Sequence, residues 1–345
     1  MKAIVYTTTG TPSVLDLVDR ELPEPGPSEV RVKIAVSGVN PTDWKSRVGG
    51  GPGQELPFPE VTPNQDGAGT VDAIGAEAAD LAPLLEVGDP VWTFLSQHQR
   101  ATGTAQEYVV LPVEHVVALP EGVSLDVGAS LGVPAMTAHR ALTVSEQGPS
   151  RLAPGALDGK VVLVAGGAGA VGHAAIQLAR WAGATVVTTI SSDAKAALAT
   201  AAGAHHVVNY RTGDAVAEIQ AVAPDGVDIV VEVAPGPNAA LNLAVLANHG
   251  TVAYYANNNG DGVTLDVVPH FAKNIRYQGL LLYTVGEDAL AVAAEDITAA
   301  LRDGALPVGE EFGLPLTRFP LEQTAEAHAA VEADTVGKVL IDVAG

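Results

Sequence analysis

Val161-Val162-Leu163-Val164-Ala165-Gly166-Gly167-Ala168-Gly169-Ala170-Val171-Gly172 runs from a short apolar segment into a glycine-rich turn, and His173–Ala182 continues it as an alanine- and leucine-rich stretch. The apolar, β-branched start predicts a buried strand over Val161–Ala165, and the good helix formers that follow predict a helix over Val171–Ala182. Gly167, Gly169 and Gly172 fit G-x-G-x-x-G between the two. Glycines there permit a tight turn and a close approach of backbone N–H groups to a pyrophosphate, which then rests at the positive end of the helix. An ordinary strand-to-helix turn would use the same residues, but a second strand predicted over Thr185–Ile190 favours dinucleotide binding. Gly167, Gly169, Ala170, Val171 and Gly172 are therefore candidate cofactor-binding residues.

Moving outward, the end of the second strand is where an Asp or Glu would bind the ribose hydroxyls of NAD. Ser191 and Ser192 stand there instead, followed by Lys195. Two hydroxyls and a cation suit a 2′-phosphate, so NADPH is the expected cofactor, with Asp193 as the alternative ribose ligand. Tyr210, ending a third strand at Val207–Asn209, is a candidate to flank the adenosine, or else a surface tyrosine. Asn257, past a strand at Thr251–Tyr255, is a further cofactor candidate.

The 345 residues are enough for about two domains. Residues up to about 120 alternate short β-type runs with Gly and Pro, whereas from Leu125 strands alternate with Ala-rich helices, as in a parallel sheet. Strands are expected at Ile229–Val233 and Ile275–Tyr283, and beyond Gly286 come helices at Ala289–Asp303 and Glu322–Glu332 and a last strand at Val339–Val343. Eighteen Lys and Arg against 40 Asp and Glu give a net charge of −22, which argues against nucleic-acid and membrane-surface partners. There is no cysteine, so disulfides, thiolate nucleophiles and Cys-ligated metals are excluded. MKAIVY lacks the apolar core of a signal peptide, and a cytoplasmic protein is expected.

Ser37-Gly38-Val39-Asn40-Pro41-Thr42-Asp43, Asp66-Gly67-Ala68-Gly69-Thr70-Val71, Val87-Gly88-Asp89-Pro90-Val91, Gly103–Tyr108, Pro134–Ala138, the Gly167–Gly172 loop and Gly337-Lys338-Val339 occur in this order along essentially the whole chain. Together they resemble the medium-chain dehydrogenase/reductase superfamily and, within it, the zinc-free, zeta-crystallin-like quinone oxidoreductases. The resemblance implies an α/β protein: a GroES-like β-rich catalytic domain (residues 1–128 and 284–345), interrupted by a Rossmann doubly wound parallel-sheet domain (129–283), with the active site in the cleft between them. It also implies a homodimer through the Ile275–Tyr283 edge.

Zinc-dependent members of the superfamily carry a Cys ligand where this chain has Asn40 and a Gly-His-Glu stretch where it has Asn64-Gln65-Asp66, so no catalytic metal is expected. A quinone or other conjugated carbonyl takes hydride into an already stabilised anion and needs less Lewis-acid help than a simple carbonyl. For such a small electrophilic acceptor, Asn40 could donate to the developing oxyanion and Trp44 could pack against a flat ring; the alternative for Asn40–Asp43 is a turn with a helix N-cap. Relatives place a tyrosine after this segment, where Gly49-Gly50-Gly51-Pro52-Gly53 has none, which disfavours the runner-up activity, an enoyl-thioester or alkenal reductase. NADPH-dependent relatives also place an arginine where this chain has Ala333.

Two readings belong to other classes. Gly128-Ala129-Ser130-Leu131-Gly132 matches the nucleophile elbow of serine hydrolases, but Ser124-Leu125-Asp126 reads as a helix start, placing Ser130 inside a helix. A non-catalytic NADPH-binding role is the other. The histidines show no metal-ligand spacing, and loops Val48–Pro63 and Thr93–Gly103 are expected to shape the acceptor pocket. With both zinc-ligand positions replaced, exhaustive dialysis against a chelator is expected to leave turnover intact; loss of turnover that zinc restores would contradict this.

Overall fold

Lys2–Val5 (β1) and Asp16–Asp19 (β2) pair antiparallel at the start of the computed structural model, which describes residues 1–49, 55–258, 260 and 262–343. The long strand Glu29–Val39 (β3) runs straight into the helix Pro41–Val48 (α1), where Pro41 occupies a first-turn position whose missing N–H has no intrahelical use. Asp66–Ile74 (β4), Ala76–Leu81 (α2), Pro90–Thr93 (β5), Tyr108–Pro112 (β6) and Val116–Ala118 (β7) follow, with β4 and β6 both antiparallel to β3. The short helix Leu125–Gly128 (α3) is capped by Ser124, whose hydroxyl accepts from Val127 N. Val30, Val32, Ile34, Val71, Val91 and Leu111 are among the strand residues that form the core of this unit, which comprises Met1–Val133 and Leu316–Gly345.

The second unit, Pro134–Pro315, opens with the helix Pro134–Leu142 (α4) and then alternates strand and helix. Its elements are Val161–Ala165 (β8), Ala170–Trp181 (α5), Thr185–Ile190 (β9), Asp193–Ala201 (α6), His206–Asn209 (β10), Ala215–Val222 (α7), Val227–Glu232 (β11), Ala239–Val245 (α8), Leu246–Tyr254 (β12), Val267–Ala272 (α9), Arg276–Gly279 (β13) and Glu287–Arg302 (α10). The strands form one parallel sheet in the order β10-β9-β8-β11-β12-β13. Helices on both faces explain why Val162–Ala165 and Ile229–Val231 are unbroken apolar runs, all buried. The order reverses direction between β8 and β11, so loops leaving these strands diverge at the carboxyl edge and open a place for a ligand. Among the described residues no helix is long and apolar enough to cross a membrane.

β13 lies at the sheet edge as expected, but the strand predicted over Ile275–Tyr283 is shorter. Pairing stops at Gly279, which packs on the Tyr254 ring so closely that a Cβ there would stand 2.9 Å from the hydroxyl. The helix α10 also falls elsewhere than the sequence-based boundary at residue 284 put it. Its Asp296 is buried and accepts from His139 Nε2 of α4 (2.8 Å), Leu152 N (2.7 Å) and Arg151 Nε (2.9 Å), which ties the helix into the second unit.

The chain returns to the first unit through Leu316–Pro320 (β14), Thr324–Glu332 (α11) and Lys338–Asp342 (β15). β15 pairs antiparallel with β3, completing a seven-stranded sheet ordered β14-β15-β3-β4-β5-β7 with β6 also on β3. Asp296→Ala would leave the buried His139 ring and the Leu152 N–H without their acceptor, and a buried donor left unsatisfied costs about 1–3 kcal/mol. A clear fall in the urea midpoint is expected; an unchanged midpoint would show that the cluster contributes nothing.

Candidate functional site

β8 delivers the chain into Gly166, whose φ of +73° lies in the left-handed region that favours glycine. Gly166 N donates to Thr189 O, and its carbonyl accepts from Gly169 N at 3.0 Å, closing the turn. α5 then begins at Ala170 with Gly169 as its N-cap and no capping side chain. The first-turn N–H groups, Ala170 and Val171 among them, thus keep their capacity for an anion. A Cβ on Gly172 would stand 2.4 Å from Gly166 O, and one on Gly167 2.2 Å from Thr188 Oγ1, so neither position admits a side chain without pushing the helix off the strand end. Such a cradle fits a pyrophosphate. Gly166 was missed because the motif counts glycines by spacing, whereas its conformation shows only in the folded turn.

Ser191, Ser192, Lys195 and Tyr210 come out beside this loop. Ala165 lies opposite Thr189 and Asn209 opposite Ile190 in parallel register, so the three chain segments leave the same carboxyl edge. Ser192 is the N-cap of α6, its hydroxyl accepting from Lys195 N at a long 3.4 Å, while Ser191 and Lys195 are half-buried and Tyr210 and Asp193 exposed. Asn257 is not brought to this group: it follows β12, on the other side of the switch point, is exposed, and donates to Gly260 O at 2.6 Å. On that side the sequence reading overlooked Glu232, fully buried at the end of β11. It accepts from Ala234 N (2.7 Å), Asn238 Nδ2 (3.0 Å) and Asn242 Nδ2 (2.9 Å), which fixes the loop after β11. An acid inside the apolar run Ile229–Val233 was the available signal. Burial, helped by Glu232, pushes the Tyr255 hydroxyl above the ordinary tyrosine range.

In the first unit Asn40 begins α1. The cap is made by Asp43, whose Oδ2 accepts from Asn40 N at 2.7 Å, while Asp43 N donates to Asn40 O. The Asn40 side chain takes part in the same capping box and also bonds beyond it: Nδ2 donates to Asp66 Oδ1 and Oδ1 accepts from Lys338 Nζ, both at 2.7 Å. Burial, then the neighbouring Asp66, pushes the Asp43 carboxyl from the usual 3.8 up to about 8. Trp44 is half-buried, with the Lys45 ammonium 5.7 Å from its ring centroid. Gly50–Gly53, where relatives' tyrosine is missing, lie outside the described residues, as does Gln54. Of the two loops expected to shape the acceptor pocket, Glu55–Pro59 line a hollow of about 440 Å³ with Thr7 and Thr8, and Gln97 pairs with Gln65 (3.0 Å).

These donors do not fit zinc. Amides stand for thiolate and imidazole, the Asn40 oxygen faces an ammonium, and Gln65 is held by Gln97. Among the described residues no group of three or more His, Asp or Glu could hold a metal. Ser130 lies in the turn after α3, not inside a helix as predicted, because the helix closes at Gly128; its hydroxyl donates to Asp126 O at 2.8 Å. No strand leads into it, so it is not an elbow. His328 and His173 are buried against Asn64 and Phe312 O, and burial pushes their pKa values down to about 3 and about 4.

Comparison with known proteins agrees with this architecture. Residues 26–121 match the alcohol dehydrogenase GroES-like domain, and residues 170–299 match the family described as zinc-binding dehydrogenase. Human quinone oxidoreductase is 29% identical over 347 residues, covering 99% of this chain and 97% of that protein. A mycobacterial structure complexed with NADPH has a TM-score of 0.80 at 29% identity, covering 99% of each chain. An NAD-dependent alcohol dehydrogenase has a TM-score of 0.83 at 27% identity over the full length of both. A GroES-like unit whose sequence is interrupted by a unit with a six-stranded parallel sheet defines a medium-chain dehydrogenase/reductase. Within that superfamily the chain belongs to the quinone oxidoreductase, or zeta-crystallin-like, family.

The raised Asp43 pKa has a consequence for stability. Between the usual 3.8 and about 8 the folded chain holds a proton that the unfolded chain has released, so this group's contribution is full at low pH and is lost as pH rises through about 8. Urea midpoints of wild type and Asp43→Asn, compared from pH 5 to 9, should differ in slope, the variant losing less stability as pH rises. Parallel curves would refute the assignment.

Proposed function

We propose that the chain is a zinc-independent reductase that uses NADPH to reduce a quinone or another conjugated carbonyl. The observation that carries this reading is the glycine cradle after β8 with hydroxyls and a lysine, instead of a carboxylate, at the end of β9. The relatives support it, one being a quinone oxidoreductase and another a structure with NADPH. When bound, NADPH supplies a hydride. The first-turn N–H groups of α5 would hold its pyrophosphate, Ser191, Ser192 and Lys195 its 2′-phosphate, and Tyr210 would flank the adenosine. Asn257 is assigned to the cofactor from the β12 side.

On the acceptor side, Asn40 would donate to the oxygen on which negative charge develops, and Trp44 would pack against the ring. An amide has two N–H donors; Asp66 takes one, and the other, which also neighbours the Asp43 carboxyl, is the one proposed for the acceptor. Delocalisation in the reduced quinone removes the need for a metal at this position. A homodimer through the edge strand β13 belongs to the same reading, supported by exposed Phe271 and Leu281 beside that edge.

A phosphate carrying nearly two negative charges must overcome the field of a chain of net charge −22, and Lys195 is the local cation proposed to do so. A hydrogen bond to a charged group contributes about 1.5–3 kcal/mol, and a half-buried lysine belongs at the low end, about 10-fold in affinity. Lys195→Ala should raise the KM for NADPH by about that factor and leave the KM for NADH unchanged. Equal weakening of both cofactors, or a wild type that prefers NADH, would point to Asp193 as the ribose ligand. Oxidation of NADPH across quinones, alkenals and enoyl thioesters identifies the acceptor class, and no turnover of any quinone would overturn the reading.

A further inference from the structure

Three strands of the first unit meet at one buried point. Val339 of β15 lies opposite Val39 of β3, and Asp66 of β4 lies opposite Gly38, so Lys338, Asn40 and Asp66 converge from neighbouring strands. Their exposures are 2%, 2% and 0%. Lys338 Nζ donates to Asn40 Oδ1 at 2.7 Å, Asn40 Nδ2 donates to Asp66 Oδ1 at 2.7 Å, and Nζ to Asp66 Oδ2 at 3.4 Å closes the triangle. Val133 N donates to Asp66 Oδ2 at 3.0 Å and holds the carboxylate from behind. A lysine can only donate and a carboxylate can only accept, so the chemistry fixes which end of the Asn40 amide is oxygen. The backbone makes room for the group: a Cβ on Gly38 would stand 2.3 Å from Asp66 Oδ1 and 2.9 Å from Lys338 Nζ.

Burying an ion pair costs several kcal/mol of desolvation per ion, and apolar residues of similar volume often stabilise a core as well or better. Folding alone therefore gives weak reason for this triangle. One zinc-ligand position of the superfamily falls on this spot, since Asn40 stands where the Cys would, and Asp66 ends the stretch replacing Gly-His-Glu. We propose that Lys338 and Asp66 are positioning residues that hold Asn40 as an oriented, polarised donor, the Lys338 ammonium acting through the amide as the positive charge at the site. Donation into the amide oxygen draws electron density from the nitrogen and strengthens its remaining N–H, and low local dielectric enhances the effect. Asp66 fixes rotation of the amide by taking the other hydrogen.

This inference rests on the assignment of Asn40 to the acceptor, and a double-mutant cycle separates the two. Quinone-dependent NADPH oxidation and melting temperature are measured for Asn40→Ala, Lys338→Met, the double variant and Lys338→Arg. Losing a hydrogen bond from a charged group corresponds to about 10- to 100-fold in turnover. Lys338→Met should therefore lose kcat by that factor with the KM for NADPH unchanged, and Lys338→Arg should recover most of it. Added to Asn40→Ala, Lys338→Met should cost less than about 2-fold more, because a residue acting through Asn40 has nothing left to act on. Should Lys338→Met not fold, Lys338→Gln, which keeps a donor and removes the charge, enters the same cycle and is read in the same way. If Asn40→Ala leaves kcat intact, the assignment of Asn40 fails. If Asn40→Ala lowers kcat while the lysine substitution leaves it unchanged, or multiplies independently with it, the positioning role alone falls.

Discussion

The pairing of β15 with β3 is the contact on which the first unit depends. Without it β3 would keep β4 along one edge and β6 beside Glu29–Lys33 on the other, but Val36–Val39 would lose their partner on that second edge, and β14, which pairs only through β15 in the sheet order, would have nowhere to attach. The same register carries Lys338 to Asn40 across 298 residues of sequence. Packing follows from it as well: Arg47 of α1 is fully buried and reaches Glu332 at the end of α11 at 2.9 Å, so the returning segment also holds the helix that starts at Asn40. One strand pairing thus sets both the closure of the sheet and the surroundings of the proposed donor.

Electrostatics work differently in the two units. In the second, the proposed anion site rests on backbone N–H groups and a half-buried lysine, which is how a strongly acidic chain can receive a phosphate without a broad basic surface. In the first, charge is fully buried and paired, so its effects are local and weakly screened by salt. Salt should therefore weaken cofactor phosphate recognition more than it disturbs the Asn40–Asp66–Lys338 triangle.

Much of the second unit was legible because its information is local. Strand-like Val161–Ala165, the glycine loop and the helix after it lie within about twenty residues, and periodicity alone orders them. The end of β13 was not legible, since the Tyr254 ring against which Gly279 packs comes from the neighbouring strand. Nor was the allegiance of α10, which turns on Asp296 meeting His139, 157 residues earlier. At the candidate site Asn40 was singled out by its place in a motif, and the structure then showed its amide bound at both ends. Asp66 and Lys338 stood in quoted motifs, but a hydrogen-bond network among three separate strands leaves no periodic trace. Ser130 shows the reverse case, a motif with correct spacing and the wrong local backbone.

The interruption of the first unit by Pro134–Pro315 bears on the order in which the chain can acquire its structure. During synthesis an N-terminal domain ordinarily folds first, as it leaves the ribosome. Here that is denied to residues 1–133, because their sheet lacks β15 until residues 338–342 emerge. The contiguous parallel-sheet unit has all its strands earlier. Once folded, it replaces a long flexible loop with a fixed span, reducing the entropy lost when β15 finds β3. The unit begun earlier would then be finished later, and a nascent chain stalled before Lys338 would leave Val36–Val39 of β3 unpaired on one edge and open to a neighbour.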